Sequence, residues 1–293
     1  MIIYGTLFPA FIYLIAETRG SVILRRRAVR LRKETSRPIY SASELDKQPL
    51  HHKLLKSASR PLYLLCTEPV LLASTLWSAF SFGTVFLFTQ SAAQVFRSLY
   101  GWEDHSTSYI LGAVVIGEIL GWFPTLYSSR LYLRSAARNT ETPGRPIPEA
   151  RLYVSVAASF FGITGGMFVY AWTSYPHVPW IAPAIGLGMV GFGIQVVVSA
   201  VADYITDAYA VSGYAGSAIS AVAFGENIFA GFLPLAAQSM YTRLGFQWAS
   251  SLLGFLALVL SFAPVIFIWK GREFRRRSPF MLSGGGKINV EVT

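Results

Sequence analysis

Charged side chains are scarce in this sequence of 293 residues: they make up 14% of it, whereas hydrophobic residues make up 53%. Soluble domains carry about 25% charged residues, so this chain has too little charge to keep its surface in water. The composition therefore excludes an ordinary soluble domain and favours a protein that crosses a membrane several times. Cysteine is also scarce, and the single residue, Cys66, excludes an intramolecular disulfide.

Motifs for catalysis and for cofactors are missing as well. No G-x-x-x-x-G-K-S/T motif is present, so the sequence gives no basis for transport driven by ATP. The four histidines lie in predicted loops or at predicted span ends, without a cluster of other metal-ligating residues. The run GLGMVG at 186–191 matches the dinucleotide pattern G-x-G-x-x-G, but it lies inside 51 uncharged residues rather than between a strand and a helix. We therefore interpret it as part of a glycine-rich membrane helix and predict no enzyme activity, cofactor or metal site.

Long apolar runs are what the sequence does contain. A membrane helix needs about 20 apolar residues. The longest run, 152–202, is too long for one crossing, and the proline-rich segment YPHVPWIAP at 175–183 divides it. Six segments are then long enough to span a membrane: 69–96, 105–129, the two halves of 152–202, 208–242 and 244–269. A shorter apolar segment, 1–16, is interpreted as the end of a preceding membrane helix whose beginning is absent.

The distribution of positive charge predicts an orientation. Of the 25 Lys and Arg residues, 23 fall in the segments 17–61, 130–151 and 270–293, which lie on one side of a seven-span topology. Because Lys and Arg accumulate on the cytoplasmic side, these segments are predicted to be cytoplasmic. The run VILRRRAVRLRK at 22–33 is accordingly expected to fix the topology at the membrane surface, and we predict no nucleic-acid partner. The following segment, LHHKLLKSASRPLYLL at 50–65, is typical of an interfacial helix.

Five segments carry a family resemblance by their order and spacing. Residues 16–35 (AETRGSVILRRRAVRLRKET) and 67–88 (TEPVLLASTLWSAFSFGTVFLF) are followed by 204–221 (YITDAYAVSGYAGSAISA), 233–258 (LPLAAQSMYTRLGFQWASSLLGFLAL) and 270–280 (KGREFRRRSPF). In this order they resemble the sixth-helix exit, the seventh helix, the tenth-to-eleventh turn, the eleventh-to-twelfth join and the basic exit of one family. That family is the major facilitator superfamily, and within it the fungal drug:proton antiporter branch of multidrug and polyamine exporters.

The resemblance implies an all-α membrane protein that forms the C-terminal half of a major facilitator fold. It divides the chain into a partial helix (1–16), a basic cytoplasmic central loop with an interfacial helix (17–66), a six-helix bundle (67–272) and a basic, then flexible, cytoplasmic tail (273–293). The path for substrate would run between two pseudo-symmetric halves. The family's seventh, eighth, tenth and eleventh helices line that path, and here they are the second, third, fifth and sixth spans. The N-terminal half would be a missing partner.

Two glutamates lie within predicted spans. Glu118 is at the centre of the third span, and Glu226 is the only charge in the 35 residues 208–242. Ionisable groups inside a membrane are costly and are usually functional. Low-dielectric surroundings favour the protonated carboxyl group, so both residues are predicted to form a site for protons or for a cationic substrate. The alternative is that either one stays protonated and only joins neighbouring helices. A partner would come from the absent half, from Asn227, from a tyrosine or from water.

Other polar residues are weaker candidates. The substrate or coupling site is predicted to include Asn227, Gln94, Gln90 and Tyr204, with Tyr170, Trp172 and Gln195 as further cavity candidates. Asp203 and Asp207 are spaced i, i+4 and would share a helix face. They are interpreted either as gating contacts or as a solvated helix end.

The function implied by the resemblance is secondary active transport. Drugs, polyamines or other small organic compounds would be exported in exchange for protons, and the expected location is the plasma membrane. The expected partners are the lipid bilayer, a small organic or cationic substrate, protons and the missing half. Two alternatives stay open: a fragment or half-transporter that needs a second chain, and a seven-span receptor.

Overall fold

A computed structural model describes residues 20–281, apart from 36–37, 39, 42–43, 45–49, 141–142 and 279. The predicted partial helix at 1–16 and the flexible end of the tail, 283–293, lie outside the described residues. The chain divides into two compact units, Met1–Ser57 and Ala58–Thr293. All the regular elements in the described ranges are helical, which confirms the predicted fold class.

The first described element is a basic helix, α1 (Gly20–Thr35), in the first unit. Arg32 on this helix donates to both carboxylate oxygens of Glu44, at 3.1 and 3.0 Å. The backbone N–H of Ser41 and the Arg32 guanidinium together lower the pKa of the Glu44 carboxyl group. The predicted interfacial segment forms α2 (Leu50–Thr67).

Within the described residues, six helices are long and apolar enough to cross a membrane. They are α3 (Pro69–Tyr100), α4 (Asp104–Ser135), α5 (Pro148–Thr173), α6 (Ile181–Tyr209), α7 (Ala215–Leu244) and a pair that continue one another, α8 (Phe246–Leu260) and α9 (Phe262–Arg277). The predicted break in the longest apolar run is confirmed, since α5 ends before the proline-rich segment and α6 begins within it. The GLGMVG run lies inside α6, as predicted.

Glycines bring α6 close to its neighbours. A Cβ atom added at Gly162 of α5 would lie 2.8 Å from the Cα of Gly193, and one added at Gly121 of α4 would lie 2.7 Å from the carbonyl oxygen of Phe192. Real side chains do not tolerate such distances, so the helix backbones touch at these points, as small residues permit in membrane proteins.

Two neighbouring spans are irregular. In α5, residues Ala158–Gly165 form a π-helical stretch. The last span breaks at Ser261, between α8 and α9. Pro264 contributes to the break because it has no N–H group to donate to the carbonyl four residues earlier.

Buried hydroxyl groups join the two irregular sites. Ser159, in the π-helical stretch, lies 2.6 Å from Ser261 between their hydroxyl oxygens, and Thr164 lies 3.3 Å from Ser261 in the same way. The indole N–H of Trp77, on α3, donates to Ser159 at 3.2 Å. Three spans are thus connected by one hydrogen-bond cluster.

Candidate functional site

Glu226 of α7 is half-buried and hydrogen-bonded across a helix interface. The hydroxyl of Ser78, which is fully buried on α3, donates to one carboxylate oxygen of Glu226 at 2.5 Å. The sequence had suggested other partners for Glu226, and Ser78 was missed. Serine is too common in the spans to stand out without knowledge of which helices pack together.

Small residues explain why Ser78 reaches Glu226. Gly225, next to Glu226, faces Thr75 of α3, and any Cβ atom at position 225 would collide with the Thr75 side chain. On α3, a Cβ atom added at Gly83 would lie 2.8 Å from the Cβ of Phe229. Glycine at both positions therefore lets α3 and α7 approach closely enough for a serine, a short side chain, to span the gap.

The hydrogen bond lies roughly a third of the way along both helices. Ser78 is about 14 Å along α3 from its first residue, and Glu226 is about 16 Å along α7, at 1.5 Å per residue. The hydrocarbon core of a bilayer is about 30 Å thick. Because both helices are longer than this thickness, Glu226 lies within the spanning part of α7 rather than at its end.

Glu118 is half-buried on α4, beside the contact with α6. The neighbouring Gly117 touches the backbone of Gly188 on α6. Among the residues that the structure describes, none forms a side-chain hydrogen bond or ion pair with Glu118. An apolar groove of about 550 Å³, lined in part by Gly117 and Leu120, adjoins this position. The carboxyl group of Glu118 therefore has apolar surroundings and makes no side-chain hydrogen bond to the described residues.

The helices that carry the two glutamates are the least covered spans. Only 22% of the most apolar stretch is buried in each of α4 and α7, compared with 67% in α3 and 61% in α6. Large apolar side chains are exposed on both, for example Phe123 at 60% and Leu235 at 77%. Extended apolar exposure of this kind marks contact with lipid or with another protein surface.

Three of the other candidates, Gln90, Gln94 and Asn227, form no side-chain hydrogen bond with Glu226 among the described residues. Gln90 and Gln94 lie about 18 and 24 Å further along α3 than Ser78. Asn227 is exposed, and its amide donates to the carbonyl of Ala223 in its own helix at 2.7 Å.

The tyrosines lie in the core rather than beside the glutamates. The Tyr204 ring stacks on Phe267 with centroids 6.1 Å apart, and its hydroxyl has no hydrogen-bond partner among the described residues. Tyr170 is buried against Phe88 with centroids 5.5 Å apart. Both positions suit packing between helices, and periodicity alone could not distinguish this from a cavity lining.

Asp203 and Asp207 hold an arginine between them. Arg151, at the start of α5, donates to Asp203 at 3.1 Å and to Asp207 at 3.0 Å. Its guanidinium also lies 3.7 Å from the ring centroid of Tyr132 on α4. This cluster ties α4, α5 and α6 together at one end of the bundle, although Asp203 is still 53% exposed. Both interpretations of the pair, gating contacts and a solvated helix end, stay predictions. A second pair, Glu149 and Arg275, ties α5 to α9 and is buried.

No cluster of metal-ligating side chains occurs in the part of the chain that the structure describes.

Comparison with known proteins shows sequence similarity to fungal transporters and efflux pumps. The chain is 34% identical over 272 residues to the efflux pump atB of Aspergillus terreus, covering 91% of this chain and 56% of the relative. It is 32% identical over 284 residues to the MFS transporter cpaT of Aspergillus oryzae, covering 96% of this chain and 56% of the relative.

A third relative comes from another organism and has a similar sequence identity. The chain is 32% identical over 271 residues to the major facilitator superfamily multidrug transporter FLU1 of Candida albicans, covering 92% of this chain and 43% of the relative. The chain therefore spans about half the length of the curated relatives that it matches. No family model and no solved structure matches it.

Proposed function

We propose that this chain, which is similar to about half the length of fungal transporters of the major facilitator superfamily, acts as the C-terminal half of a proton-coupled exporter of small organic compounds. Its relatives are named as transporters and efflux pumps, which supports the prediction of a transporter rather than an enzyme. Proton coupling, the substrate class and the plasma-membrane location are parts of the proposal.

The hydrogen bond between Ser78 and Glu226 is the observation that carries the proposal. It involves an ionisable group within a span, on an interface between two helices that the family likeness assigns to the transport path. A hydroxyl donor stabilises the ionised carboxylate, whereas apolar surroundings favour the protonated form. When Glu226 is protonated, Ser78 donates to a neutral carboxyl oxygen instead of a charged one, and the hydrogen bond is weaker. Proton uptake is thereby coupled to the contact between α3 and α7.

The membrane potential supplies the energy for such coupling. One proton that moves down the potential provides about 2.3 kcal/mol per 100 mV. Glu118 is proposed as the second carboxyl group of the site, which either relays the proton or attracts a cationic substrate. The sparse burial of α4 and α7 supports a position beside a second half, which would cover these two helices. The excess of Lys and Arg at one end of the spans supports a cytoplasmic location for that end.

The proposal is tested in liposomes with and without a second polypeptide, the N-terminal half of the Aspergillus terreus relative. Rhodamine 6G, a cationic dye, serves as the substrate, and a pH-sensitive dye reports proton movement. We expect dye-dependent proton flux only when both halves are present, because a path between halves needs both walls. Glu226→Gln should abolish that flux. Glu103→Gln is the matched control, since Glu103 is exposed at the start of α4 and makes no capping hydrogen bond.

Exchange without a proton gradient separates the two roles of the carboxyl groups. If Glu226 carries the proton, the glutamine variant, which imitates the protonated form, should still exchange dye for dye across the membrane. If Glu226 binds the cation, this exchange is lost as well. A normal proton flux in both Glu118→Gln and Glu226→Gln would refute the proposed site. Absence of transport in every combination of halves would favour the non-transporting alternative.

A further inference from the structure

Two faces of helix α1 differ in what their basic side chains contact. On one face, Arg25 and Arg32 are spaced i, i+7, and both approach the carboxylate of Glu44, with Nε of Arg25 at 3.8 Å and Nη2 of Arg32 at 3.0 Å. The Arg32 guanidinium also lies 4.3 Å from the ring centroid of Tyr40. The segment that follows α1 in the chain therefore supplies the counter-charge for this face.

A second face of α1 is basic and makes no such ion pair with the described residues. Arg26, Arg30 and Lys33 are spaced i, i+4 and i+7, so their side chains lie within about 60° of one another around the helix. All three are exposed, and none of them forms a salt bridge or a side-chain hydrogen bond in the part of the chain that the structure describes. Arg27 borders this face, and so does Glu34, the only acidic residue of α1. With both included, the face has an excess of three positive charges.

Apolar side chains flank this basic face. Val29 is 37% exposed on one side of it, and Ile23 is 45% exposed on the other. Exposed apolar residues beside basic ones suit the boundary between headgroups and acyl chains, where a helix can lie along the membrane surface.

The position of α1 in the sequence also suits a membrane surface. The helix begins four residues beyond the apolar segment 1–16, which is predicted to end a membrane helix. Four residues reach at most about 14 Å. We therefore expect α1 to start close to the headgroups of the leaflet at which that helix ends.

We propose that the face formed by Arg26, Arg30 and Lys33 binds the anionic phospholipid headgroups of the adjoining leaflet. Acidic lipids attract basic segments beside a membrane, and each basic residue adds to the binding. Glu44 determines which face is used, because it neutralises the two arginines of the first face and leaves the second face for the lipid. This lipid site is separate from the carboxyl groups proposed for transport, and it does not depend on them.

The proposal is tested on the full 293-residue chain in nanodiscs. One set of discs contains phosphatidylcholine alone, and the other contains a mixture of phosphatidylcholine and phosphatidylserine. The exposed Cys66 is replaced by serine, and an environment-sensitive fluorophore is attached either to Val29→Cys or to Leu24→Cys. Leu24 is 61% exposed and lies roughly opposite the basic face, so it serves as the matched position.

The position of the label reports which face meets the lipid. We expect phosphatidylserine to shift the emission at position 29 to shorter wavelengths, and the emission at position 24 to shift less than half as far. Potassium chloride at 1 M, which screens charges beyond about 3 Å, should reverse the shift.

Charge variants assign the binding to the three basic residues. The shift caused by phosphatidylserine should be lost in the triple variant Arg26→Gln/Arg30→Gln/Lys33→Gln. It should persist in the matched control, which removes the same charge from exposed residues at and just beyond the end of α4: Arg130→Gln/Arg134→Gln/Arg138→Gln.

A variant of the counter-charge tests how the face is chosen. Glu44→Gln frees the two arginines of the first face, so α1 then presents basic side chains on both faces. The difference between the labels at positions 29 and 24 should decrease in this variant. An unchanged difference would contradict the role of Glu44.

Four results would overturn the proposal: equal shifts in the two kinds of disc, a shift at position 24 as large as that at position 29, a shift that survives the triple variant, or an equal loss in the control. The first two are measured with all the basic side chains in place, so they decide the matter even where a charge variant does not fold. If polyglutamate added to phosphatidylcholine discs causes the same shift, the face binds an acidic polypeptide instead of lipid.

Discussion

Removing one partner of the buried pair between Glu149 and Arg275 should destabilise the protein strongly. Their side chains are only 5% and 7% exposed, so water can replace neither partner. Glu149→Gln removes the negative charge that faces the buried Arg275 guanidinium. Loss of one member of a buried pair costs about 3–5 kcal/mol. For a unit of this size, that free energy corresponds to a decrease of roughly 6 to 20 °C in the unfolding temperature.

The double variant Glu149→Gln/Arg275→Met separates the ion pair from packing. It removes both charges, so no charge stays buried and unpaired, and replacement of a whole buried pair by apolar groups is often nearly neutral. We expect the double variant to be more stable than Glu149→Gln alone. Thermal unfolding of the four proteins in one detergent, followed by intrinsic tryptophan fluorescence, gives the coupling free energy of the double-mutant cycle.

Additive effects in this cycle would refute the reasoning. If the double variant loses as much stability as the two single variants together, the carboxylate and the guanidinium do not compensate each other. A loss below about 1 kcal/mol for Glu149→Gln would also contradict the assigned burial, because it is typical of exposed pairs.

Two further predictions concern the helix interfaces. Gly225→Ala should destabilise the protein by about 1–3 kcal/mol through overpacking against Thr75. Gly231→Ala, on the same helix with open space around it, should stabilise the protein by up to about 1 kcal/mol. Thermal unfolding measures both variants, and equal effects would argue against the close contact of α3 and α7. Asp207→Asn should lower the free energy of unfolding by about 1 kcal/mol, because the carboxylate is 23% exposed and solvent partly screens its interaction with Arg151. The difference from wild type should shrink in 1 M salt. An effect independent of salt would contradict an ionic origin.

Composition and the lengths of the apolar runs predicted the membrane spans well, because each depends on residues close together in the sequence. The break before α6 followed from three prolines in nine residues. The sequence also holds two Gly-x-x-x-Gly patterns, at 117–121 of α4 and 162–166 of α5, which permit close helix contacts, and the structure places Gly121 and Gly162 against α6. Local chemistry is sufficient for features of this kind.

The polar contacts could not be predicted in the same way. Ser78 and Glu226 are 148 residues apart, and Arg151 is 52 residues from Asp203. Which side chains meet depends on which helices are neighbours, and a single sequence does not state this. The burial of Tyr204 was missed for the same reason, since its stacking partner Phe267 belongs to another span.

The paired irregularities of α5 and the α8–α9 span have a mechanical consequence. A π-helical stretch and a proline-induced break are softer than a continuous α-helix, and here they lie side by side, joined by the hydroxyl groups of Ser159 and Ser261. The charged contacts made by Glu149 and Arg151 all lie beyond this soft level, towards one end of α5. If these spans bend at this level, we therefore expect the ends of α5 and α9 that Glu149 and Arg275 join to move together.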